Sequence, residues 1–380
     1  MQKLEYTLSF TTPAFLGNAD QKGQWRTPPF KALLRQWWRV ANARKYNYDH
    51  RAMREDEGRL FGHAWLEREK PNGGTEAWAS QSQIRIRIDP WDAGKLGASK
   101  WPGGPMDQVV TTRDGKGKVR ADVYLGYGPV LPPSKKEGRF NVEIRGAIGT
   151  NEQADLRIGC PRDTIDDLKT TLVLIQALGA LGSRERNGWG SLVLEPKDPA
   201  SAIPSLLSQG KLLAHVCRPW NACLHHDWPH AIGLADDGNH LIWQTRPEAD
   251  WRKAMSTLAM VKVAVRQIAK GFTDPKKSGA GGIHLLGYPA GGKWDLRTTG
   301  SGKNDLRLAS QLRFKVVRQG NQYTGLIAHL PCGMPREFVD KLDDRARSWF
   351  DDKQNHLRVW SAVHKELNAT CRYWNGLEEK

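Results

Sequence analysis

The sequence predicts an α+β fold in which two similar units follow one another along the chain. The chain has 380 residues, which is enough for two domains of ordinary size. In the first 200 positions, the periodic pattern of apolar and polar residues predicts the order strand, helix, strand, strand, helix, strand. This order is typical of a split βαβ arrangement. Residues 196–210 contain three prolines and predict a linker to a second unit.

The first predicted helix carries a row of positive charges. A strand at residues 3–12 precedes it, and Thr27 followed by Pro28 suits a helix start. Its apolar residues recur at helical spacing and are Phe30, Leu33, Leu34, Trp37, Trp38 and Ala41. Every fourth residue of another face is basic, and we call Lys31, Arg35 and Arg39 the basic stripe. Such a row is either a solvated surface or an anion site, and the upstream cations Lys22 and Arg26 favour an anion.

A long insert is predicted after the third element. Residues 84–88 alternate as a strand with arginines on one side. Residues 89–138 are rich in Pro, Gly, Lys and Trp and show little periodicity, so this segment is either disordered or functional. Within it, residues 123–130 are strand-like and favour an extended arm or hairpin. Another strand is predicted at 141–148.

The segment of residues 182–190, here called the glycine loop, joins an apolar helix to a strand. The helix is predicted from a Thr164 cap to Gly179, and the strand at 191–195. Glycine allows positive φ and close backbone approach, so we expect amide N–H groups of the loop to line a concavity for a polyanion. The candidate contacts of this loop are Gly182, Ser183, Arg184, Arg186, Asn187 and Trp189.

These patterns predict a domain at residues 1–200, with the insert 89–138, and a second domain at 211–380. The elements predicted in the second domain are a start at 211–216, a helix at 251–270, a glycine-rich run at 278–282, strands at 306–317 and 323–330, and a helical end at 335–368.

The charge of the chain is strongly positive and unevenly distributed. Lys and Arg total 57 against 41 Asp and Glu, a formal net charge of +16. Residues 251–319 contribute +11, whereas the tail from Pro335 onward is neutral. Such a basic segment indicates either nucleic acid or another anionic partner, or simply a highly soluble protein. The candidate contacts in this region are Lys276, Lys277, His284, Arg307 and Arg313.

Tryptophan is the other unusual feature, with 16 residues. Indole faces stack on bases, and several tryptophans lie in polar, glycine-rich sequence. Others are better explained as core residues, and these are Trp37, Trp243 and Trp360.

Catalytic, metal and membrane patterns are missing from the sequence. We find no His-Glu-x-x-His, phosphate-loop or Gly-x-Ser-x-Gly motif, and predict neither catalytic residues nor a cofactor. The spacing of Cys217, Cys223, His225 and His226 is not a usual zinc pattern, although the sequence does not decide whether they bind a metal. Five scattered cysteines, no signal-peptide core and no membrane-length apolar stretch lead us to expect a cytoplasmic protein without a membrane partner.

Five short segments resemble one known family. Residues 12–17 (Thr-Pro-Ala-Phe-Leu-Gly), 26–39 and 59–62 (Arg-Leu-Phe-Gly) resemble the opening of Cmr subunit one, a family of RAMP proteins in CRISPR systems. In the second half, residues 284–287 and 307–313 resemble the second RAMP unit of that family. The helix that leads into the glycine loop also resembles RAMP proteins. The similarity covers most of the chain in the expected order.

The resemblance implies two ferredoxin-like (RRM-like, RAMP) domains in tandem with long glycine-rich inserts. It also implies a non-catalytic subunit of the type III-B Cmr ribonucleoprotein, which acts in antiviral defence. The expected partners are guide RNA (crRNA), whose 3′ part the family holds, target RNA and other Cmr subunits. In RNA-guided complexes base pairing reads sequence, while protein groups hold the backbone. The sequence does not decide whether the insert 89–138 contacts RNA or a neighbouring subunit.

Two other functions stay open. The chain could be a metal-independent RAMP endoribonuclease that matures guide RNA, with His63 or His284 as general base. Alternatively, it could be a basic scaffold that binds RNA only through its partners. Since the RRM signature is absent, we predict contacts to the RNA backbone rather than base-specific reading.

Overall fold

A computed structural model describes residues 1–69, 72–97, 101, 109–111, 118–132, 143–273, 279–290, 295–299 and 306–374. Its strands are β1 (Gln2–Phe10), β2 (His63–Glu69), β3 (Thr75–Ser80), β4 (Arg85–Asp89), β5 (Val109–Thr111), β6 (Lys118–Arg120), β7 (Val130–Leu131), β8 (Glu143–Ile144), β9 (Gln153–Cys160), β10 (Leu192–Pro196), β11 (Cys217–Pro219), β12 (Ile232–Leu234), β13 (Ile242–Gln244), β14 (Leu312–Gln319), β15 (Gln322–His329) and β16 (Arg372–Tyr373). Its helices are α1 (Thr27–Asn42), α2 (His50–Phe61), α3 (Ala121–Gly126), α4 (Ile165–Leu178), α5 (Gly210–Val216), α6 (Trp220–Cys223), α7 (Trp251–Lys270), α8 (Gly282–Leu285), α9 (Arg336–Val339), α10 (Asp344–Asp351) and α11 (Lys353–Thr370). The predicted α+β class is confirmed.

The chain divides into two compact units. Unit 1 comprises Met1–Gly97, Arg145–Ser183 and Gly190–Val216, and unit 2 comprises Ala98–Ile144, Arg184–Trp189 and Cys217–Lys380. The described residues of the predicted insert beyond Gly97 therefore group with unit 2 rather than with the first domain. Most of the glycine loop also belongs to unit 2, while the predicted linker 196–210 belongs to unit 1.

Unit 1 is built on a four-stranded antiparallel sheet with the strand order β10-β1-β9-β4. Its main elements follow the chain as β1, α1, β4, β9, α4 and β10, with α2, β2 and β3 between α1 and β4. The predicted order of strand, helix, strand, strand, helix and strand is present, but its fourth element is β9 at Gln153–Cys160 and not the strand predicted at 141–148. Alternate residues of β1 are buried, and Leu8 lies opposite both Leu194 and Ala154. Helices α1 and α4 pack on one another and contact the edge strands, so the core lies between these helices and the sheet.

Unit 2 contains a second four-stranded antiparallel sheet with the order β14-β15-β13-β16. The four strands of this sheet and the two long helices follow the chain in the order β13, α7, β14, β15, α11 and β16, with the shorter helices α8, α9 and α10 between them. This is again strand, helix, strand, strand, helix, strand, with the first strand between the third and the fourth. The helix predicted at 251–270 coincides with α7, which packs against α11 and β15. Trp243 and Trp360, predicted to be core residues, are fully buried.

Three predicted elements differ from the structure because tertiary contacts override local preference. Residues 123–126 of the strand-like segment predicted at 123–130 lie instead in helix α3, whose buried Asp122 accepts hydrogen bonds from Arg120 and Trp101. Residues 211–216, the predicted start of the second domain, lie in helix α5 and group with unit 1, where the carbonyl of Ala214 accepts a hydrogen bond from Arg44. Within the strand predicted at 141–148, the regular strand β8 covers Glu143–Ile144.

No helix among the described residues combines the length and apolar character needed to cross a membrane.

Gly190 provides a test of the glycine loop's structural role. It has φ +66°, and a Cβ added to it would lie 1.9 Å from the carbonyl oxygen of Leu181. We expect Gly190→Ala to lower the free energy of unfolding by about 2 kcal/mol or more, because backbone strain adds to the clash. Chemical denaturation measures this change. The control is Gly210→Ala at the start of α5, where nothing lies within 4 Å of an added Cβ. A Gly190→Ala protein as stable as this control would contradict the prediction.

Candidate nucleic-acid interface

Helix α1 presents the basic stripe at the surface of unit 1. Pro28 and Pro29 occupy its first turn, and its apolar side chains are buried. The stripe residues lie on the opposite side, where Lys31 and Arg35 are half-buried and Arg39 is exposed. Residues four apart on a helix share a face and are separated by about 6 Å along the axis. The stripe is therefore a regular row of three cations.

A buried carboxylate from α2 holds two members of this row. Glu57 is 3% exposed, and its two carboxylate oxygens accept hydrogen bonds of 2.7 Å from Nε of Arg35 and Nε of Arg39. Arg39 Nη2 adds a bond of 2.8 Å, and Arg35 Nη1 donates to the carbonyl of Gly62 at 3.2 Å. Charge-assisted bonds of this kind fix the direction of each guanidinium. Glu57 was not among the residues predicted for the site.

The basic stripe keeps a positive charge despite this pairing. Glu57 pairs with Arg35 and Arg39, and Lys31 adds a third cation, so these four groups carry a net charge of +2 when each is ionised. Burial raises the pKa of Glu57, but hydrogen bonds and charges from Arg39 and Arg35 outweigh this effect and leave the pKa below 4.5. Burial and the charge of Arg35 lower the pKa of Lys31. An anion at the stripe would relieve that repulsion.

The two cations upstream of α1 differ in exposure. Lys22 is exposed in the turn before the helix, and its backbone N–H donates to Asn18 Oδ1 at 3.0 Å. Arg26 is half-buried at the N-cap position. Lys22 is thus accessible to solvent, whereas Arg26 is only partly accessible.

The glycine loop does not offer the amide concavity that the sequence predicts. Positive φ occurs at Gly182, Gly188 and Gly190, as expected. However, four amide N–H groups of the loop already donate hydrogen bonds to backbone carbonyl oxygens. The donors are Ser183, Asn187, Gly188 and Gly190. An N–H group bonded in this way cannot line an anion site. The predicted anion contact of the Ser183 amide is corrected accordingly, because this amide donates to the carbonyl of Phe15. The contact predicted for Gly182 stays a prediction.

Side chains of the glycine loop are also committed to contacts within unit 2. Arg186 Nη1 donates to the carbonyl of Ser310 at 2.5 Å and pairs with Glu185 at 3.4 Å. Asn187 donates from Nδ2 to the carbonyl of Leu125 at 2.8 Å. Arg184 differs from these two, because it is exposed and stands in the left-handed region at φ +62°.

Three predicted RNA contacts are corrected by their burial. Trp189 is 0% exposed and packs on Trp101 and Trp251, so its ring cannot stack on a base. Arg313 is 4% exposed and pairs with Glu185 at 3.5 Å. Its pKa is lowered to about 10, first by burial, and the side chain serves the interior of unit 2. His284 is 0% exposed, and its Nδ1 lies 3.1 Å from the carbonyl of Gly281.

The remaining candidate contacts of the second domain are Arg307, Lys276 and Lys277. Arg307 is exposed, and its Nη1 donates to the carbonyl of Leu306 at 2.7 Å. Lys276 and Lys277 lie outside the described residues. Sequence reasoning also missed Lys262 on α7, which donates to Asn187 Oδ1 at 2.8 Å. A lysine between two valines of an apolar helix, Val261 and Val263, is the signal that identifies it.

Apart from the exposed His225, the candidate histidines and cysteines are buried or half-buried, and those within the described parts of the chain do not form a metal centre. His63 packs edge-on against Trp78 at 4.0 Å between ring centroids, and both of its ring nitrogens are buried. Cys217 and Cys223 are reduced, and burial raises the pKa of each thiol to about 12. Among the described residues, no three His, Cys, Asp or Glu side chains are placed to hold a metal ion.

Similarity to known proteins is found among solved structures. No protein-family model matches the sequence, and no curated protein matches it. A crystal structure of apo Cmr1 from Pyrococcus furiosus is 14% identical, with a TM-score of 0.44 and coverage of 93% of this chain and 97% of that chain. A chain of the type III-B Cmr-beta complex bound to cognate target RNA and AMPPnP, in the presence of ssDNA, is 12% identical, with a TM-score of 0.46 and coverage of 97% and 98%.

A further Cmr-beta structure bound to cognate target RNA is 13% identical over 95% of this chain and 99% of that chain, with a TM-score of 0.42. Of the three similar structures, the first is of Cmr1 and the other two are of Cmr-beta complexes. At this low identity, the function must be argued from the chain's own residues.

Glu57 makes the stability of unit 1 sensitive to acid. Because its folded pKa lies below 4.5, the ionised carboxylate stabilises the fold above its unfolded pKa, and this contribution is lost as pH falls through the folded pKa. We expect Glu57→Gln to lower the free energy of unfolding by about 1–3 kcal/mol at neutral pH. The difference from the unsubstituted protein should shrink below pH 4.5.

Denaturant titrations at several pH values measure this difference. Glu55→Gln on the same helix is the control, since Glu55 and its partner Arg59 are both about half exposed and contribute little. A difference that is constant over the whole pH range would show that Glu57 does not act through its charge.

Proposed function

We propose that the chain is a non-catalytic RNA-binding subunit of a type III-B Cmr ribonucleoprotein. In this proposal its two units are ferredoxin-like RAMP domains in tandem. The subunit holds the 3′ part of the guide RNA, assists recognition of target RNA and contacts other Cmr subunits. The observation that carries the proposal is the basic stripe of α1, fixed by Glu57 and still positively charged.

Several features support RNA as the ligand. The segments that resemble the family, residues 12–17 and 26–39, include α1 and its basic stripe. A row of directed guanidinium and ammonium groups suits a ribose-phosphate strand, whose charges also repeat at intervals. The same groups would hold RNA of any sequence, as expected where base pairing with a guide supplies specificity.

A non-catalytic role is supported by the environment of the two candidate bases. His284 is fully buried against Tyr288 and Phe350, and so it cannot reach a 2′-hydroxyl group of bound RNA. The ring nitrogens of His63 are buried against Trp78. Each histidine would have to become exposed before it could accept a proton from RNA.

The electrostatic part of the proposal predicts a salt-sensitive affinity. Lys22→Gln combined with Lys31→Gln should weaken binding of single-stranded RNA about tenfold and reduce the slope of log K against log salt by about 1.4, because two phosphate contacts are lost. Fluorescence anisotropy between about 50 and 200 mM salt measures both quantities. These lysines are chosen because neither pairs with Glu57, so the arginine contacts to that carboxylate are retained.

The matched control is Lys341→Gln combined with Arg345→Gln, two exposed cations of the neutral tail. This control should bind like the unsubstituted protein. Equal losses in both double variants, or an affinity that does not change with salt, would contradict a specific role of the basic stripe.

The non-catalytic assignment predicts that purified protein leaves repeat RNA intact. Incubation in EDTA followed by gel analysis should reveal no discrete product, since no accessible general base faces solvent among the histidines considered above. A product that disappears in His63→Ala would instead establish the metal-independent endoribonuclease.

A further inference from the structure

Two short extended segments of unit 1 pair with each other just before helix α1. Gln24 and Ala93 form an antiparallel bridge. Two backbone hydrogen bonds of 2.9 Å flank this bridge, with Trp25 donating to Asp92 and Gly94 donating to Gly23. In such a ribbon, residues opposite each other place their side chains on the same face, and the face alternates along each segment. The bridge therefore determines which side chains share a face.

The inner face of this ribbon is closed by the backbone of a neighbouring segment. A Cβ added to Gly23 would lie 2.7 Å from the carbonyl oxygen of Gly146, and one added to Gly94 would overlap the carbonyl oxygen of Ala147. Trp25 lies on the same face and is 2% exposed. The inner face thus belongs to the interior of unit 1, and a ligand can approach the ribbon only from its other side.

The outer face carries the alternate residues of both segments. We call these six residues the ribbon face, and they are Lys22, Gln24, Arg26, Trp91, Ala93 and Lys95. Lys22, Ala93 and Lys95 are exposed, and Trp91 is 51% exposed. The backbone of Arg26 is still extended, at φ −159° and ψ 152°, so the alternation reaches this residue. Since alternate residues of a strand are about 7 Å apart, three cations and one indole ring share a small surface.

The cations of the ribbon face form no ion pair with any described residue, in contrast to Arg35 and Arg39 of the basic stripe. The Nε of Arg26 is buried and has no hydrogen-bond partner among the described residues. The acids closest in sequence are Asp20, in the preceding turn, and Asp92, which the alternation places on the inner side. A bound anion would supply the acceptors and the negative charge that the protein does not provide here.

The ribbon face is also next to the basic stripe along the chain. Arg26 is the N-cap residue of α1, and Lys31 follows five residues later, about 7.5 Å along the helix axis. A strand of nucleic acid that contacts the stripe therefore needs to extend only a short distance to reach the ribbon face.

We propose that the ribbon face binds a single-stranded segment of RNA. Phosphate groups of this segment lie against Lys22, Arg26 and Lys95, and an unpaired base stacks on Trp91. Cations combined with an exposed aromatic ring bind single strands of any sequence, because every base has a face that can stack. This inference rests on the proposed function and extends its RNA surface to the start of the insert 89–138, at Trp91 and Lys95.

The contribution of Trp91 is tested with single-stranded and duplex RNA on the full chain. Fluorescence anisotropy with an oligouridine of about 10 nucleotides measures single-strand affinity, and a duplex of equal length is the second probe. Trp91→Ala should weaken oligouridine binding about fivefold or more. Duplex binding should change by less than about twofold, because paired bases are stacked on their neighbours and offer no free face. Trp91→Phe keeps an aromatic ring and should retain most of the affinity.

The contribution of Lys95 is tested through the salt dependence. Lys95→Gln should weaken oligouridine binding about threefold or more and reduce the slope of log K against log salt by about 0.7, since one phosphate contact is lost. Lys95→Arg keeps the charge and should retain binding. Lys365→Gln is the control, because it removes an exposed cation of α11 in the neutral tail and should bind like the unsubstituted protein. Thermal denaturation verifies that each variant is folded.

The outcomes distinguish this inference from the proposed function. If the unsubstituted protein binds oligouridine with strong salt dependence but Trp91→Ala and Lys95→Gln bind equally well, the ribbon face is not an RNA site and the proposed function stands. Equal losses of Trp91→Ala for oligouridine and duplex would overturn the single-strand assignment. Unchanged RNA binding with weaker assembly into a Cmr complex would assign the ribbon face to a protein partner instead. If the unsubstituted protein binds neither RNA, both the proposed function and this inference fail.

Discussion

The buried carboxylate of Glu57 is the interaction on which the candidate RNA surface of unit 1 depends. It lies under two arginines of α1 and accepts three hydrogen bonds from them. Long arginine side chains lose considerable conformational entropy when they are ordered. Because Glu57 already orders Arg35 and Arg39 within the folded protein, an arriving RNA strand would meet prearranged cations. The carboxylate reduces the local charge by one but gives the remaining charges a fixed direction.

The glycine loop shows how a motif can serve the fold rather than a ligand. Its glycines permit a tight turn in which amides bond to carbonyls of the protein, as Gly190 does with Pro13. The turn also places three side chains in unit 2 at defined positions: Arg186 bonds to the carbonyl of Ser310, Asn187 orients Lys262, and Trp189 fills the core. Anion contacts from this region therefore depend on side chains around the loop rather than on its backbone.

Net charge locates a partner only when the charged side chains are exposed. The segment 251–319 carries +11, yet Arg313 and Lys315 of β14 are 4% and 2% exposed. Burial lowers the pKa of Lys315 to about 7, so this side chain contributes less charge at neutral pH than its residue type suggests. The surface of unit 2 that can meet a polyanion is consequently smaller than the sequence implies. It includes the exposed residue Arg307.

The sequence alone determined the α+β class, the helices α1, α4 and α7, and the basic stripe, because periodicity along one helix or strand is a local property. The sequence did not predict that Trp25, Trp189 and Glu57 are buried. Their neighbours in the chain are polar, and they do not reveal which distant elements pack over these side chains. Nor could it assign the described residues between 98 and 144 to unit 2 or turn residues 121–126 into a helix. Only tertiary packing decided these features, because burial and hydrogen bonding between residues far apart in sequence outweigh local preference.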